Sequence, residues 1–166
     1  TMKRGVSLLG AMLLLASEEA VEQYGLNTRG RITDVHWAGL DPKVMGLGPV
    51  MASTPILQRH GLSLNDIDYW EINEAFAGQT IACLKAWESE EFCRQELGLE
   101  GALGTLDQAR LNIDGGAIAL GHPVGATGAR IVLHVLKVLE RTQQQRGIAT
   151  LCIGGGLGGA MLLERV

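Results

Sequence analysis

The chain reads as an α/β domain: a mixed β-sheet layered with helices and closed by a β-hairpin. Three observations predict it. Segments of strand character alternate with segments of helical spacing, the pattern of layered α/β domains. Residues 125–143 place Ile131, Val132, Val135, Leu136 and Leu139 along one side of a single amphipathic helix. Two apolar segments, 148–153 and 160–163, flank a glycine turn and read as hairpin neighbours, which makes the sheet mixed.

Taken in order, residues 11–16 are an apolar run expected to form a buried strand. The run follows the basic Met2-Lys3-Arg4 and precedes Ser17, so it also has the outline of a signal peptide. The buried strand is the preferred reading, and the run is too short to span a bilayer. Ser17 is placed to cap a short helix over 18–24, with Glu18 and Glu19 where the helix dipole favours acids. Gly25 ends it. Residues 31–38 mix β-branched and apolar side chains and predict a strand. Residues 41–49 read as a loop, with Pro49 suited to the first turn of a helix that runs to about His60. A turn or short helical start at 63–66 leads to a short strand at 68–72. Residues 74–87 have helical apolar spacing at Phe76, Ile81 and Leu84. Residues 88–110 are the most polar and least regular stretch, a surface excursion with one short helix near 90–97.

Composition narrows the function. A length of 166 residues, 46% of them hydrophobic and 19% charged, suits one globular domain with a core. Aromatics at 4% argue against base-stacking platforms, and a net charge of −4 argues against a nucleic-acid face. A local basic patch for an anionic ligand is still allowed. The three cysteines, Cys83, Cys93 and Cys152, are an odd number without metal-ligand spacing, which points to free thiols in a reducing, cytoplasmic setting and to no metal. No membrane partner is expected.

Two stretches carry the chemistry. Gly115 to Gly128 frames His122 with glycines, and Cys152 opens a second glycine run, Gly154-Gly155-Gly156-Leu157-Gly158-Gly159. Glycine lets a ligand approach the backbone closely. A histidine and a cysteine held this way point to acyl and proton-transfer chemistry. His122 precedes a helix N-terminus, whose partial positive charge favours a neutral ring that accepts a thiol proton or donates to an oxyanion. The bland alternatives are a loop histidine without a role and a small core cysteine. Asn73 opens the helix at Glu74-Ala75-Phe76-Ala77, where an N-cap role competes with a functional one. Gly46-Leu47-Gly48-Pro49 precedes a helix but lacks the lysine of a phosphate-binding loop, as does 115–128, so nucleoside triphosphate binding is not expected.

Asn73-Glu74-Ala75-Phe76-Ala77, Gly121-His122-Pro123 in its glycine frame, and Cys152-Ile153-Gly154-Gly155-Gly156 together resemble the thiolase family, the acetyl-CoA acetyltransferases and 3-ketoacyl-CoA thiolases. Asp41 to Gly46 resembles a further family loop that lines the acyl and pantetheine pocket. The resemblance runs from about Met12 to Val166 and is to the C-terminal catalytic half. It implies a thiolase-like C-terminal domain over 30–166, with 1–29 a remnant of the N-terminal half. It implies an acyltransferase that catalyses reversible Claisen condensation and thiolysis of 3-ketoacyl-CoA, with coenzyme A thioesters as substrates and no covalently bound cofactor. It gives His122 the activation of a nucleophilic cysteine and part of the first oxyanion hole. Asn73 would hold a water there. Cys152 would be the second acid/base, and the Gly154 N–H would serve the second oxyanion hole. Met45, Ala75, Phe76, Gly121 and Gly155 would lie against the substrate.

The pattern also departs from the family. The acyl-accepting cysteine belongs to the family's N-terminal half, which is expected to be missing, and Cys83 and Cys93 sit in no glycine turn. Residues 3–9 replace an Asp-Gly-Ala-rich approach, as a truncated start would. The excursion at 88–110 is longer than in compact acetoacetyl-CoA enzymes, which leaves acyl-chain length open. Two readings stand together: a catalytic half completed by an N-terminal half and oligomeric, or an inactive fragment that folds, dimerises or binds CoA weakly. A ketoacyl synthase is a poorer fit, because its pattern lacks the cysteine at 152 and the Asn73 motif.

Overall fold

Four strands form one mixed sheet in the order β1-β4-β3-β2. They are β1 (Gly30–Gly39), β2 (Tyr69–Ile72), β3 (Arg146–Ile153) and β4 (Leu157–Arg165). The structure, a computed structural model, describes residues 10–166; the basic start at 2–4 and the atypical opening at 3–9 lie outside them. Strand β4 runs antiparallel to both β1 and β3, whereas β2 runs parallel to β3. Beyond β2, Leu111 adds a single parallel bridge to Trp70.

Strands β2, β3 and β4 each serve two cores because successive side chains point to opposite faces. On β3, Ile148 enters one cluster and its neighbour Ala149 the other; on β4, Leu162 and Leu163 divide in the same way. The first cluster lies under α2 (Gly48–His60) and α3 (Ala77–Glu88), where Val50, Ile56 and Leu57 meet Trp70 and Trp87. The two indoles stand 5.3 Å apart, and each N–H is satisfied: Trp87 donates to Thr54 Oγ1 and Trp70 to the Leu64 carbonyl. The second cluster lies under α6 (Thr127–Thr142), through Ile131, Val135 and Leu139. Burying each such side chain contributes about 1.5–3 kcal/mol. The α/β reading and the closing hairpin therefore stand, and α6 occupies the long amphipathic stretch.

Several elements differ from expectation, each for a physical reason. Residues 10–17 form no strand: Met12, Leu14 and Leu15 are exposed, and no other strand pairs with the run among the described residues. The segment instead overhangs a groove of about 1060 Å³ whose other wall includes Ile32, Leu136 and Leu163. Helix α1 (Glu18–Tyr24) follows, capped by Ser17 and ended at Gly25. The loop at 41–49 contains a 3-10 helix, Pro42–Leu47, because the Asp41 carboxylate accepts the Lys43 N–H.

Helix α3 starts at Ala77 rather than near Glu74, and its buried side is Gln79, Thr80, Cys83, Ala86 and Trp87. Phe76 and Ile81 are exposed, and of the three apolar positions that marked 74–87 only Leu84, half-buried, packs against the core. The polar excursion is also less superficial than its composition suggests. Helix α4 (Glu90–Leu97) buries Cys93, and Leu106 is buried in the α2-side core. Strand β4 begins at Leu157, so Gly158 and Gly159 belong to the sheet rather than to the turn.

Candidate active site

The C-terminal ends of the parallel strands β2 and β3 lie side by side, the place where open α/β sheets usually bind ligands. Asn73 leaves β2 there, and its N–H donates to the Thr150 carbonyl at 2.9 Å, next to the part of β3 that holds Cys152. Asn73 is buried, and neither atom of its side-chain amide has a hydrogen-bond partner among the described residues. It is not the helix cap, because Phe76 occupies that position. A buried amide without a partner costs about 1–3 kcal/mol, a penalty that a site for water or substrate explains.

Cys152 is buried near the end of β3, just before the turn at Gly154–Gly156. Burial pushes its thiol up from the usual cysteine range. The group is therefore held as a proton-bearing thiol. Cys83 is pushed up further, to about 12, again by burial, and its Sγ donates to the Gly46 carbonyl at 3.3 Å. Cys93 is equally buried and contacts the carbonyls of Ala86 and Trp87. A buried, proton-bearing thiol is a poor nucleophile.

The start of α2 closes one side of this end. Gly48 packs its backbone against Cys152 and Leu157, and the Leu40 N–H donates to the Gly156 carbonyl at 2.8 Å. Met45, half-buried in the 3-10 helix, precedes this contact. Ala75 is half-buried and Phe76 exposed on the stretch leading into α3. Gly154 and Gly155 are exposed at the hairpin tip, so this backbone is open to a ligand.

His122 sits on an exposed loop between α5 (Ala117–Leu120) and α6, just after Gly121. Its Nδ1 lies 2.7 Å from Thr127 Oγ1, and that hydroxyl donates to the Pro123 carbonyl at 3.0 Å. With its only proton committed, the hydroxyl accepts from Nδ1–H, which leaves the Nε2 lone pair free to act as a base. The recorded ring partner is Thr127 rather than Cys152. Thr127 is a contributor the motifs did not reveal. Its only signal was a hydroxyl in the first helical turn, four residues after Pro123, the spacing of a side chain that bonds back to a carbonyl.

Known proteins share this sequence and fold. The family profile described as "Thiolase, C-terminal domain" matches residues 26–165. The beta-ketoadipyl-CoA thiolase of Pseudomonas aeruginosa is 45% identical over 162 residues, covering 98% of this chain and 37% of the relative. The 3-ketoacyl-CoA thiolase of Yersinia enterocolitica is 47% identical over 154 residues, covering 93% of this chain and 36% of the relative. The structure of human mitochondrial 3-ketoacyl-CoA thiolase in complex with CoA superposes with a TM-score of 0.75 at 38% identity, covering 91% of this chain and 34% of that one. The chain thus spans little more than a third of the length of the curated relatives it matches. Fold, motifs and profile agree, and the chain belongs to the thiolase family, matching its C-terminal domain.

Proposed function

We propose that this chain supplies the second acid/base and the oxyanion-binding groups of a thiolase site acting on 3-ketoacyl-CoA thioesters. One observation carries the reading: Asn73 and Cys152 share one end of the sheet, while His122 offers a free Nε2 on a neighbouring glycine-framed loop. The nucleophilic cysteine comes from a separate segment of a thiolase, because Cys83 and Cys93 are buried and Cys152 is held as a thiol.

In thiolysis, His122 Nε2 first accepts the nucleophile's proton. The thiolate adds to the 3-keto carbon, and the Gly154 N–H steadies the negative charge that develops on the 3-keto oxygen. Cleavage of the carbon–carbon bond then leaves the acyl group on the nucleophile, from which the CoA thiol removes it, and an enolate whose thioester oxygen accepts Nε2–H from the charged ring. Asn73 holds a water beside that oxygen, which satisfies its amide, and Cys152 protonates the enolate carbon. Condensation is the reverse, with the Cys152 thiolate removing the α-proton. Loss of one oxyanion donor of this kind typically costs about 3–4 kcal/mol. Met45, Ala75, Phe76, Gly121 and Gly155 lie along the path of the acyl and pantetheine portions. The same reading expects an oligomer.

The test separates the chain alone from the chain with a thiolase N-terminal half. Alone, incubation with acetoacetyl-CoA leaves the intact mass unchanged. Mixed with that half, it thiolyses acetoacetyl-CoA, and Cys152→Ala lowers kcat at least about 100-fold. An acyl adduct on Cys83, Cys93 or Cys152 in the chain alone would sink the assignment. An inactive mixture would favour the fragment that only folds and binds.

A further inference from the structure

The residue next to Asn73 does something its motif does not announce. Glu74 sends its carboxylate away from the α3 helix and into the segment that leads to His122. Its Oε1 accepts from Asn112 Nδ2 at 2.9 Å, and its Oε2 accepts the Ile118 N–H at 3.0 Å. Ile118 is in the first turn of α5, whose N-cap, Gly116, has no side chain. The carboxylate therefore caps α5 from outside the helix. A Cβ on Gly116 would lie 2.3 Å from Glu74 Cδ, so the absence of a side chain there makes room for the clamp.

The other end of the clamp is equally fixed. Asn112 exchanges two hydrogen bonds with the Ile72 backbone, at 3.0 and 2.9 Å, and its own N–H donates to the Trp70 carbonyl at 2.9 Å. In effect Asn112 prolongs the pairing of β2 by one position. Its φ of +47° is a conformation asparagine tolerates better than most residues. A continuous set of bonds thus runs from Ile72, beside Asn73, through Asn112 and Glu74 to the start of α5. The helix ends one turn later at Gly121, and His122 follows. From the far side the ring is held by Thr127.

We propose that Glu74 is a positioning residue: its two-point clamp sets the His122 loop against the Asn73 end of β2. The functional half of this statement rests on the site reading above; the structural half does not. Both oxygens must accept, so only an ionised carboxylate of this length suits. Glu74→Gln turns an amide NH2 toward a donor at one of the two contacts. Glu74→Asp keeps the charge but is too short to span both.

Nuclear magnetic resonance on the chain itself tests the clamp. In Glu74→Gln, the Ile118 amide exchanges about tenfold faster, and the His122 imidazole 15N signals move. The amides of β3 and β4 keep their shifts and report an intact sheet. Gly116→Ala, which displaces the carboxylate from the opposite side, gives the same signature and serves if Glu74→Gln does not fold. Unmoved Ile118 and His122 signals in either folded variant overturn the proposal. So does full rescue by Glu74→Asp, which would make charge alone the cause. With a thiolase N-terminal half added, Glu74→Gln lowers kcat by about 100-fold with little change in KM, as a small misplacement of a catalytic group does. If the wild-type mixture is inactive, the site reading fails, and the exchange and imidazole signals still decide the clamp.

Discussion

The two glycine-rich turns look alike in sequence and are held by different means. The turn after Cys152 is part of the sheet: Cys152 pairs with Gly158 and Ile153 with Leu157. Its glycines let other backbone in, and the Gly48 carbonyl group occupies the space where a Gly158 side chain would start. The His122 turn lies outside the sheet and is held by side chains, Glu74 and Asn112 on one flank and Thr127 on the other. Backbone pairing is stiff and indifferent to side-chain chemistry. Side-chain clamps are specific, and one substitution releases them. On the proposed reading, a rigidly held acid and an adjustable base divide the labour.

The largest expected effect tests the stiff hairpin at its β4 strand. Gly158→Ala places a methyl 2.2 Å from the Gly48 carbonyl oxygen and 2.5 Å from its carbon. Backbone cannot yield as a flexible side chain does, so the loss is about 3 kcal/mol, read as a lower urea midpoint. Gly154→Ala, with nothing within 4 Å of its Cβ position, changes stability by less than about 0.5 kcal/mol and is the control. Equal losses in the two variants would break the contrast.

A smaller effect sharpens the side-chain half. Thr127→Val keeps the shape of a buried residue but removes the hydroxyl between His122 and Pro123. The cost is about 1 kcal/mol. The more telling readout is the imidazole 15N spectrum, where the tautomer with the proton on Nδ1 loses its preference. An unchanged tautomer would mean that something else orients His122.

The smallest effect concerns pH. Both nitrogens of His134, on α6, face carboxylates: Nδ1 is 2.9 Å from buried Glu71, and Nε2 is 3.0 Å from Asp114. Tyr69 donates to the same Glu71 oxygen, Arg130 lies 3.6 Å from the other, and Arg141 pairs with Asp114. Facing two acceptors, the ring is most stable with both protons, and its pKa is raised above 6.5, mainly by the Glu71 bond. A raised folded value means the contribution is complete below pH 6.5, the ordinary value, and is lost as pH climbs from there through the raised folded value. The urea midpoint therefore falls across that range, and His134→Gln flattens the fall. An unchanged slope in the variant would remove His134 from the account.

Local rules carried far. Ser17, Pro49 and Gly25 marked helix ends because capping depends on neighbouring residues alone. The apolar stripe of α6 was legible because its core is directly beneath it. The family motifs were legible because glycine spacing around His122 and Cys152 is a local property. The run at 11–16 misled because a strand exists only when another strand pairs with it, and composition does not say whether one is there. The face of α3 misled for a related reason: Gln79 and Thr80 are buried by what packs over them, while Phe76 stays exposed.

Sequence alone therefore determined the class of the fold, the helix ends and the residue types fit for acyl chemistry, since each rests on contacts within a few residues. Tertiary structure alone decided that the Asn73 side-chain amide has no partner among the described residues, that Thr127 leaves His122 a free Nε2, and that Glu74 spans to Asn112 and Ile118. Those facts join residues about 40 positions apart in the case of Glu74, and hydrogen bonds across such a gap form only once the sheet has brought the ends together.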